Sequence, residues 1–319
     1  MSFTEHSTVV VTPVFEDVEA SGRLFVELAN VFGRDVFVVA VDDGSVKQPV
    51  MPDAITNAGL EGTVLRLRRN VGHQRAIAIG LSWTADKLAD HQRVVVMDSD
   101  GEDLPQTIPA LLDALKPDDV DVVVAQRRSR VESLIFKTFY VFYKAQFEFL
   151  TGRKISFGNF MALAPSAVRR LVSMQETNVH VAAAVLASKL QTKLLPLDRG
   201  PRYAGQSKMN FVGLALHGFR ALMVFAEDVL VRVGILCMII AGLSVVGAIV
   251  AVILKVLDNS SPGWFSITSG ILFVLFLQTG TLTLMTLMLT GVVRSGNVVS
   301  AIDYADFVEK ELPTRGLVA

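Results

Sequence analysis

Charge and thiol chemistry are what this 319-residue chain has least of. It carries one cysteine, Cys237, inside an apolar run, so neither a disulfide framework nor a cysteine-based metal site can form within one copy. Acidic and basic side chains make up 19% of the residues and nearly cancel, at a formal net charge of −1. That removes the electrostatic case for a nucleic-acid partner. No Gly-x-Gly-x-x-Gly follows the first strand-like run, and no Gly-x-x-x-x-Gly-Lys-[Ser/Thr] occurs. A dinucleotide site and a phosphate-loop ATPase are therefore poor candidates. The polar opening Met1 to His6 leads directly into a strand-like run and lacks the features of a cleavable signal peptide. The residues before the apolar C-terminal part are thus expected to stay in the cytoplasm.

Apolar residues, by contrast, form 51% of the chain, and their excess gathers in two long runs. From Val233 to Leu254 nothing is ionisable except the thiol of Cys237. A second uncharged stretch extends from Asn259 to Val293, with Phe265 to Leu289 as its apolar heart. Each is long enough to cross the hydrocarbon of a bilayer. Two crossings return the chain to its starting side. Arg220 and Arg232 precede the first and Arg294 follows the second, while the turn between them carries Lys255 and Asp258. The positive-inside rule then puts both flanks in the cytoplasm, at the inner membrane. Asn259-Ser260-Ser261 matches a glycosylation sequon but hugs the membrane, and is read as chance. Phe211 to Val231 reads as one or two amphipathic helices, lying at the interface or packed on the domain's own core. Glycines at 234, 242, 247, 270, 280 and 291 would allow close packing between copies, and a homo-oligomer, a dimer or tetramer, is expected.

The first two hundred residues have a different rhythm. Thr8 to Thr12 is β-branched and ends at Pro13, which closes a strand at a loop. A helix comes next over Glu19 to Phe32, then strands over Val36 to Val41 and Val64 to Leu67, and a small-residue helix over Gln74 to Leu88. Arg93 to Met97 and Val120 to Ala125 read as strands, with a proline-containing helix, Leu104 to Leu115, between them. Buried-looking strands alternating with helices predict an α/β domain around a mostly parallel sheet covered on both faces. Ligands bind such sheets beyond the C-terminal ends of the strands. The polar clusters fall there: Pro13 to Asp17, Asp42 to Ser45, Asp98 to Asp103, and Arg127 to Arg130. One acidic loop could be solvation alone; several on one sheet edge make a site. Asp98 and Asp100 leave a strand as Asp-x-Asp, a spacing that can aim two carboxylates at one hard cation, Mg²⁺ or Mn²⁺, with donor phosphates completing the shell. Arg127, Arg128 and Arg130 offer bidentate donors for phosphate.

These motifs, in this order and with this anchor, resemble the family-2 glycosyltransferases of the GT-A fold, in the polyprenyl-phosphate branch that includes dolichol-phosphate mannose synthase. The resemblance covers about residues 8 to 295. It is carried by Thr12-Pro13-Val14-Phe15-Glu16-Asp17, Asp42-Asp43-Gly44-Ser45, Asn70-Val71-Gly72-His73-Gln74, Asp98-Ser99-Asp100 and Gly205-Gln206-Ser207-Lys208. It implies a GT-A domain over 1–208, juxtamembrane helices over 209–232, a two-helix anchor over 233–295 and a cytoplasmic tail over 296–319. It implies that Asp17 and Asp42 hold base and ribose, with Pro13, Phe15 and Glu16 shaping the first loop and Asp43 supporting the second. Gln74 and Ser99 join that nucleotide site, and Asp98 and Asp100 bind the metal–diphosphate unit. Arg128, Arg130, Arg199, Arg202, Ser207 and Lys208 would serve the phosphates, the last four from a basic loop that closes over donor and acceptor. Asn159, in Ser156-Phe157-Gly158-Asn159-Phe160, would lie on the acceptor side. The implied reaction is an inverting transfer of a sugar from a UDP- or GDP-linked donor to a polyprenyl (undecaprenyl) phosphate. Such an acceptor is already ionised, so little general-base help is needed.

The sequence departs from the family's Asp-x-Asp-Leu-Gln-x-x-Pro, reading Asp98-Ser99-Asp100-Gly101-Glu102-Asp103-Leu104-Pro105. Asn178 and His180 could meet the sugar's hydroxyls, or His180 could cap the apolar helix Val181 to Leu190. Two rival functions stand beside the lipid-phosphate reading. A transferase acting on a hydroxyl-bearing lipid or glycan would need a catalytic base; the Gln-x-x-Arg-Trp motif common in processive polysaccharide synthases is absent. A non-catalytic membrane-anchored scaffold would be expected to lose a metal carboxylate, yet Asp98 and Asp100 are both present.

Overall fold

A computed structural model describes residues 3–116, 119–127, 134–154, 157–203, 211–257, 261, 263–296 and 303–314. In chain order the elements are β1 (Thr8–Val14), α1 (Val18–Phe32), β2 (Val36–Asp42), α2 (Pro52–Asn57), β3 (Glu61–Leu67), α3 (His73–Lys87), β4 (Arg93–Val96), α4 (Ile108–Ala114) and β5 (Val122–Arg127). Then come α5 (Leu134–Thr151), β6 (Met161–Leu163), α6 (Pro165–Val172), α7 (Val181–Ala187), β7 (Thr192–Leu197), α8 (Phe211–Met223), α9 (Ala226–Val256), α10 (Trp264–Gly296) and β8 (Val308–Pro313). The chain divides into two compact units, one holding the sheet together with residues 299–319, the other holding 144–153 and 225–298.

In the first unit eight strands form one sheet in the order β7-β5-β6-β4-β1-β2-β3-β8. Pairs β1–β2, β1–β4, β2–β3 and β5–β7 are parallel, while β6 runs against β4 and β5, and β8 against β3. β1 and β2 are buried at every position, as expected when helices cover both faces. Side chains alternate between the faces: Val9, Val11, Val39 and Val41 pack with Ile77 of α3 and Val168 of α6, and Val10, Val38 and Ala40 pack with Leu24 of α1 and Leu111 of α4.

Pro13 does not close β1, contrary to the expectation from the sequence. It pairs with Val41 of β2, and the strand continues to Val14. The reason is the short β4, whose pairing with β1 stops at Val11↔Val96. The edge on which Pro13 lacks an N–H therefore faces no ladder, and its carbonyl accepts the Ser99 hydroxyl at 3.1 Å. β6, β7 and β8 have no counterpart among the strands expected from the sequence. The segment expected to be a free tail instead supplies β8, tied at its end by reciprocal bonds between Gly62 and Thr314.

In the second unit α9 and α10 are two helices long and apolar enough to cross a membrane, with mean hydropathies of 2.8 and 1.9. A Cβ on Gly234 would lie 2.8 Å from the Thr286 hydroxyl, and one on Gly247 3.3 Å from Leu272. These two glycines thus serve contact between α9 and α10 within one chain. Hydroxyls of Thr279, Thr283, Thr286 and Thr290 return to carbonyls three or four residues earlier, which satisfies them without water. α8, which belongs to the first unit, buries Ala221 and leaves Leu216, Phe219 and Met223 exposed.

Gly80 marks the closest approach of α3 to the sheet: a Cβ there would lie 2.6 Å from Val11 Cγ1 and 2.7 Å from Val41 Cγ2. Leucine gains just under about 1 kcal/mol of helix propensity over glycine, but overpacking costs about 1–3 kcal/mol, so the clash sets the sign. Gly80→Leu is expected to lower the thermal midpoint of the detergent-solubilised chain, followed by circular dichroism; an unchanged or raised midpoint would contradict this packing.

Candidate active site

The loops leaving the C-terminal ends of β1, β2, β3 and β4 meet at one edge of the sheet, and carboxylates stitch them together. Glu16, at a left-handed φ of 48°, accepts the N–H groups of Val46 at 2.7 Å and Gln48 at 2.7 Å, and also that of Lys47. These donors hold its carboxyl below the usual range. Asp17 caps α1 by accepting Ala20 N–H at 3.3 Å. Asp42 has no exposed surface and accepts from Ser45 N at 2.9 Å and Val50 N at 3.2 Å. Asp43, also buried, accepts from Val71 N at 2.7 Å and Gly72 N at 3.0 Å; burial pushes its carboxyl up, against the pull of those donors. In this conformation the carboxylates of Asp17, Asp42 and Asp43 are all engaged by backbone N–H groups. Phe15 remains exposed. Gln74 is buried and accepts Val181 N–H at 2.7 Å, fixing the start of α7 to α3.

The Asp98-to-Asp103 turn is folded on itself, with Asp98 N–H donating to Asp103 at 2.9 Å and Glu102 N–H to Asp100 at 3.0 Å. Gly101 has φ 88°, and a Cβ there would sit 2.7 Å from the Tyr203 ring. The 199–203 segment docks on this turn: Gly200 N–H reaches the Glu102 carbonyl and Tyr203 N–H the Asp100 carbonyl. Arg202 contacts Asp100 and Glu102, each at 3.1 Å, and Arg199 pairs with Glu102. The acidic departure from the family pattern, Glu102, is thus the counter-ion of both arginines expected to serve phosphate.

His73 Nε2 lies 3.2 Å from Asp98 Oδ1 and 3.2 Å from the Asn159 amide. Burial would lower this imidazole, but the carboxylates of Asp98, Asp100 and Asp103 outweigh it and raise it. Asp98, Asp103, Gln126, Asn159, Asp198 and Arg199 line a cleft here. Among the described residues no three metal-ligating side chains converge. Asp98 lies at His73 and Asp100 at Arg202; two carboxylates would fit a cation that completes its shell with phosphate oxygens and water.

His180 proves to be a cap: its Nδ1 accepts Ala183 N–H at 3.3 Å, and its Nε2 lies 3.1 Å from His217 Nε2 of α8. The proton is therefore on His180 Nε2, and neutral His217 carries its own on Nδ1. Asn178 closes the short turn before it, and Arg127 ends β5. Arg128, Arg130, Ser207 and Lys208 lie outside the described residues. Sequence reading does not single out Gln126, Asp198, Tyr203 or His217, which no motif marks. His73 stands inside a quoted motif, where the sequence assigns it no role.

A mostly parallel α/β sheet with acidic loops gathered at its C-terminal edge defines a GT-A-like transferase domain, here followed by two helices able to span a membrane. The chain belongs to glycosyl transferase family 2, whose pattern it matches over residues 9–178. It is 25% identical over 285 residues to an uncharacterized glycosyltransferase, YkoT, of Bacillus subtilis (strain 168), covering 84% of this chain and 82% of that one. It is 27% identical over 134 residues to a dodecaprenyl-phosphate galacturonate synthase of Rhizobium johnstonii, covering 40% of this chain and 38% of that one. Among solved structures, glucosyl-3-phosphoglycerate synthase of Mycobacterium tuberculosis, bound to Mn²⁺, UDP and product, aligns with a TM-score of 0.48 at 16% identity, over 71% of this chain and 80% of that one. Likeness of that extent says nothing about substrates.

Burial and the neighbouring His217 push His180 down to about 3. The folded state keeps the ring neutral, whereas the unfolded chain takes up a proton from about pH 6.5 downward. The stability this difference supplies is complete above about 6.5 and is lost as pH falls toward the folded value, by up to about 1.4 kcal/mol per pH unit. Between pH 6.5 and 5, His180→Gln is expected to flatten the stability profile measured by chemical denaturation. A parallel profile would show that the ring takes up its proton alike in both states.

Proposed function

We propose that this chain transfers a sugar from a nucleotide-sugar donor to a hydroxyl-bearing acceptor at a membrane. The observation that carries the reading is His73 Nε2 at 3.2 Å from Asp98, a residue that lines the cleft. Set between the Asp98 carboxylate and the Asn159 amide, the His73 imidazole is the group proposed to take a proton from an attacking hydroxyl. A divalent cation, Mg²⁺ or Mn²⁺, held by Asp98 and Asp100 with the donor's diphosphate oxygens, would neutralise the leaving group. Arg199 and Arg202, paired here with Glu102 and Asp100, are proposed to exchange those partners for donor phosphates, Phe15 to offer its exposed ring to the base, and Asn159 to border the acceptor side. Arg127, Arg128, Arg130, Ser207 and Lys208 are proposed to complete the phosphate contacts. Asp17, Asp42, Asp43, Pro13, Glu16, Gln74 and Ser99 are proposed to set the nucleotide pocket's shape. The arginines flanking the apolar helices support a cytoplasmic orientation of the sheet domain.

A second acceptor, polyprenyl phosphate, is favoured by the two apolar helices and by the name of the Rhizobium relative. A phosphate monoester needs no base, so His73 would then act through charge and position alone. The two readings separate in one experiment. Detergent-purified full chain is incubated with Mn²⁺ or Mg²⁺, a panel of radiolabelled UDP- and GDP-sugars, and either undecaprenyl phosphate or a diacylglycerol. Asp100→Ala is expected to abolish label transfer with either acceptor. His73→Gln is expected to lose about 10²–10⁴-fold with a hydroxyl acceptor and less than about ten-fold with a phosphate one. Label entering only undecaprenyl phosphate would replace the first reading by the second. No label from any donor, with folded protein, would overturn both.

A further inference from the structure

The chain that returns after α10 does more than cover the edge of the sheet. β8 pairs with β3 from Thr63↔Pro313 to Leu67↔Val308, with a bulge at Arg66/Leu67, and just before β8 the chain grips the loop that leaves β3. Arg68 N–H donates to the Phe307 carbonyl at 2.9 Å, and Arg68 Nε donates to the Asp306 carbonyl at 3.2 Å. The Arg75 guanidinium of α3 lies 5.7 Å from the centre of the Phe307 ring, within cation–π range. Farther along α3, burial and the neighbouring Asp86 carboxylate push the Tyr304 phenol up to about 12. Tyr304 and Phe307 also pack against the core cluster that holds Ile77 and Leu67.

These contacts bracket the five-residue loop between β3 and α3. Its other side is held by Asp43, through Val71 and Gly72, and by Gly44, whose Cβ position would fall 2.5 Å from the Arg69 carbonyl carbon. Of the loop's own side chains Val71 packs, half-buried, against the core, while Arg68, Arg69 and Asn70 are exposed. The rest of its conformation is set by the two flanks, and its end delivers His73 to Asp98. We propose that the post-helical segment Tyr304–Thr314 is a positioning element of the active site, with Phe307 as its key residue, fixing the β3–α3 loop and through it His73. The catalytic side of this inference rests on the function proposed above; the structural side does not.

The test uses the full chain in detergent and two variants of the same strand. Phe307→Ala strikes the end that touches the loop. Thr314→Val strikes the far end, where only Gly62 is bonded. Amide hydrogen exchange reports local opening. Phe307→Ala is expected to raise exchange in peptides spanning 68–76, whereas Thr314→Val raises it only near 61–63. Should Phe307→Ala fail to fold, Arg75→Met removes the stacked cation from the opposite side and is expected to raise exchange in the same peptides. Equal or unchanged exchange over 68–76 in the Phe307 or Arg75 variant and in Thr314→Val would overturn the proposal, because the tail would then be a stabilising strand and nothing more. With a nucleotide sugar that the wild type turns over, Phe307→Ala is expected to lower kcat about ten-fold with the donor KM within two-fold. Phe307→Tyr should restore it. Equal loss of kcat in Thr314→Val would likewise overturn the positioning role. If the wild type transfers no sugar, the function fails, while the exchange result still decides whether the tail fixes the loop.

Discussion

Carboxylates accepting backbone N–H groups are the constraint on which this domain's working edge depends. Where parallel strands end, the chain leaves the hydrogen-bond ladder and its peptide groups need other partners. Asp42 and Asp43 supply them, inside the protein, for the loops after β2 and β3, and Glu16 does the same from the β1 loop toward Val46, Lys47 and Gln48. A buried carboxyl bonded in this way is directional and hard to replace by an amide, which would present a donor where only acceptors fit. The outcome is that the loops after β1, β2 and β3 are tied to one another. The acidic character of the edge is therefore divided between residues that build the loops and residues left to meet a ligand.

That division was not legible in the sequence. Runs such as Val36 to Val41 announced buried parallel strands, because covered strands must be apolar on both faces, and the two uncharged runs announced α9 and α10. The Asp-x-Asp motif pointed to Asp98 and Asp100. Spacing alone could not say that Asp17 caps a helix, that Asp42 has no surface, or that His180 faces His217 across 37 residues. Those facts depend on tertiary neighbours. The missed strands share a cause as well. β6 is three residues long, β7 carries Pro196 and exposed Lys193, and β8 reads Val308-Glu-Lys-Glu-Leu-Pro313. An edge strand with charged outward side chains has the composition of a solvated tail, so β8 lacked any periodic apolar signal.

The basic 199–203 segment shows how a departure in one motif is answered in another. Glu102 adds a carboxylate to a turn already rich in them, and Arg199 and Arg202 both commit their guanidinium groups to this turn, Arg199 to Glu102 and Arg202 to Glu102 and Asp100. Main-chain bonds from Gly200 and Tyr203 hold the two segments in the same register. Like charges crowded on one turn would repel; the two guanidinium groups offset part of the charge of its four carboxylates and ease that repulsion.

The position of β8 in the chain carries a consequence for biogenesis. A ribosome delivers β3 early and β8 only after both apolar helices have been made. Until then the outer edge of β3 has exposed N–H and C=O groups, the kind of edge that pairs with other chains. The sheet cannot be completed while α9 and α10 are still emerging. Translation order therefore ties the finishing of the nucleotide domain to the lodging of the apolar hairpin, and a chain stalled before residue 303 would be left with an adhesive strand and an unbraced β3–α3 loop.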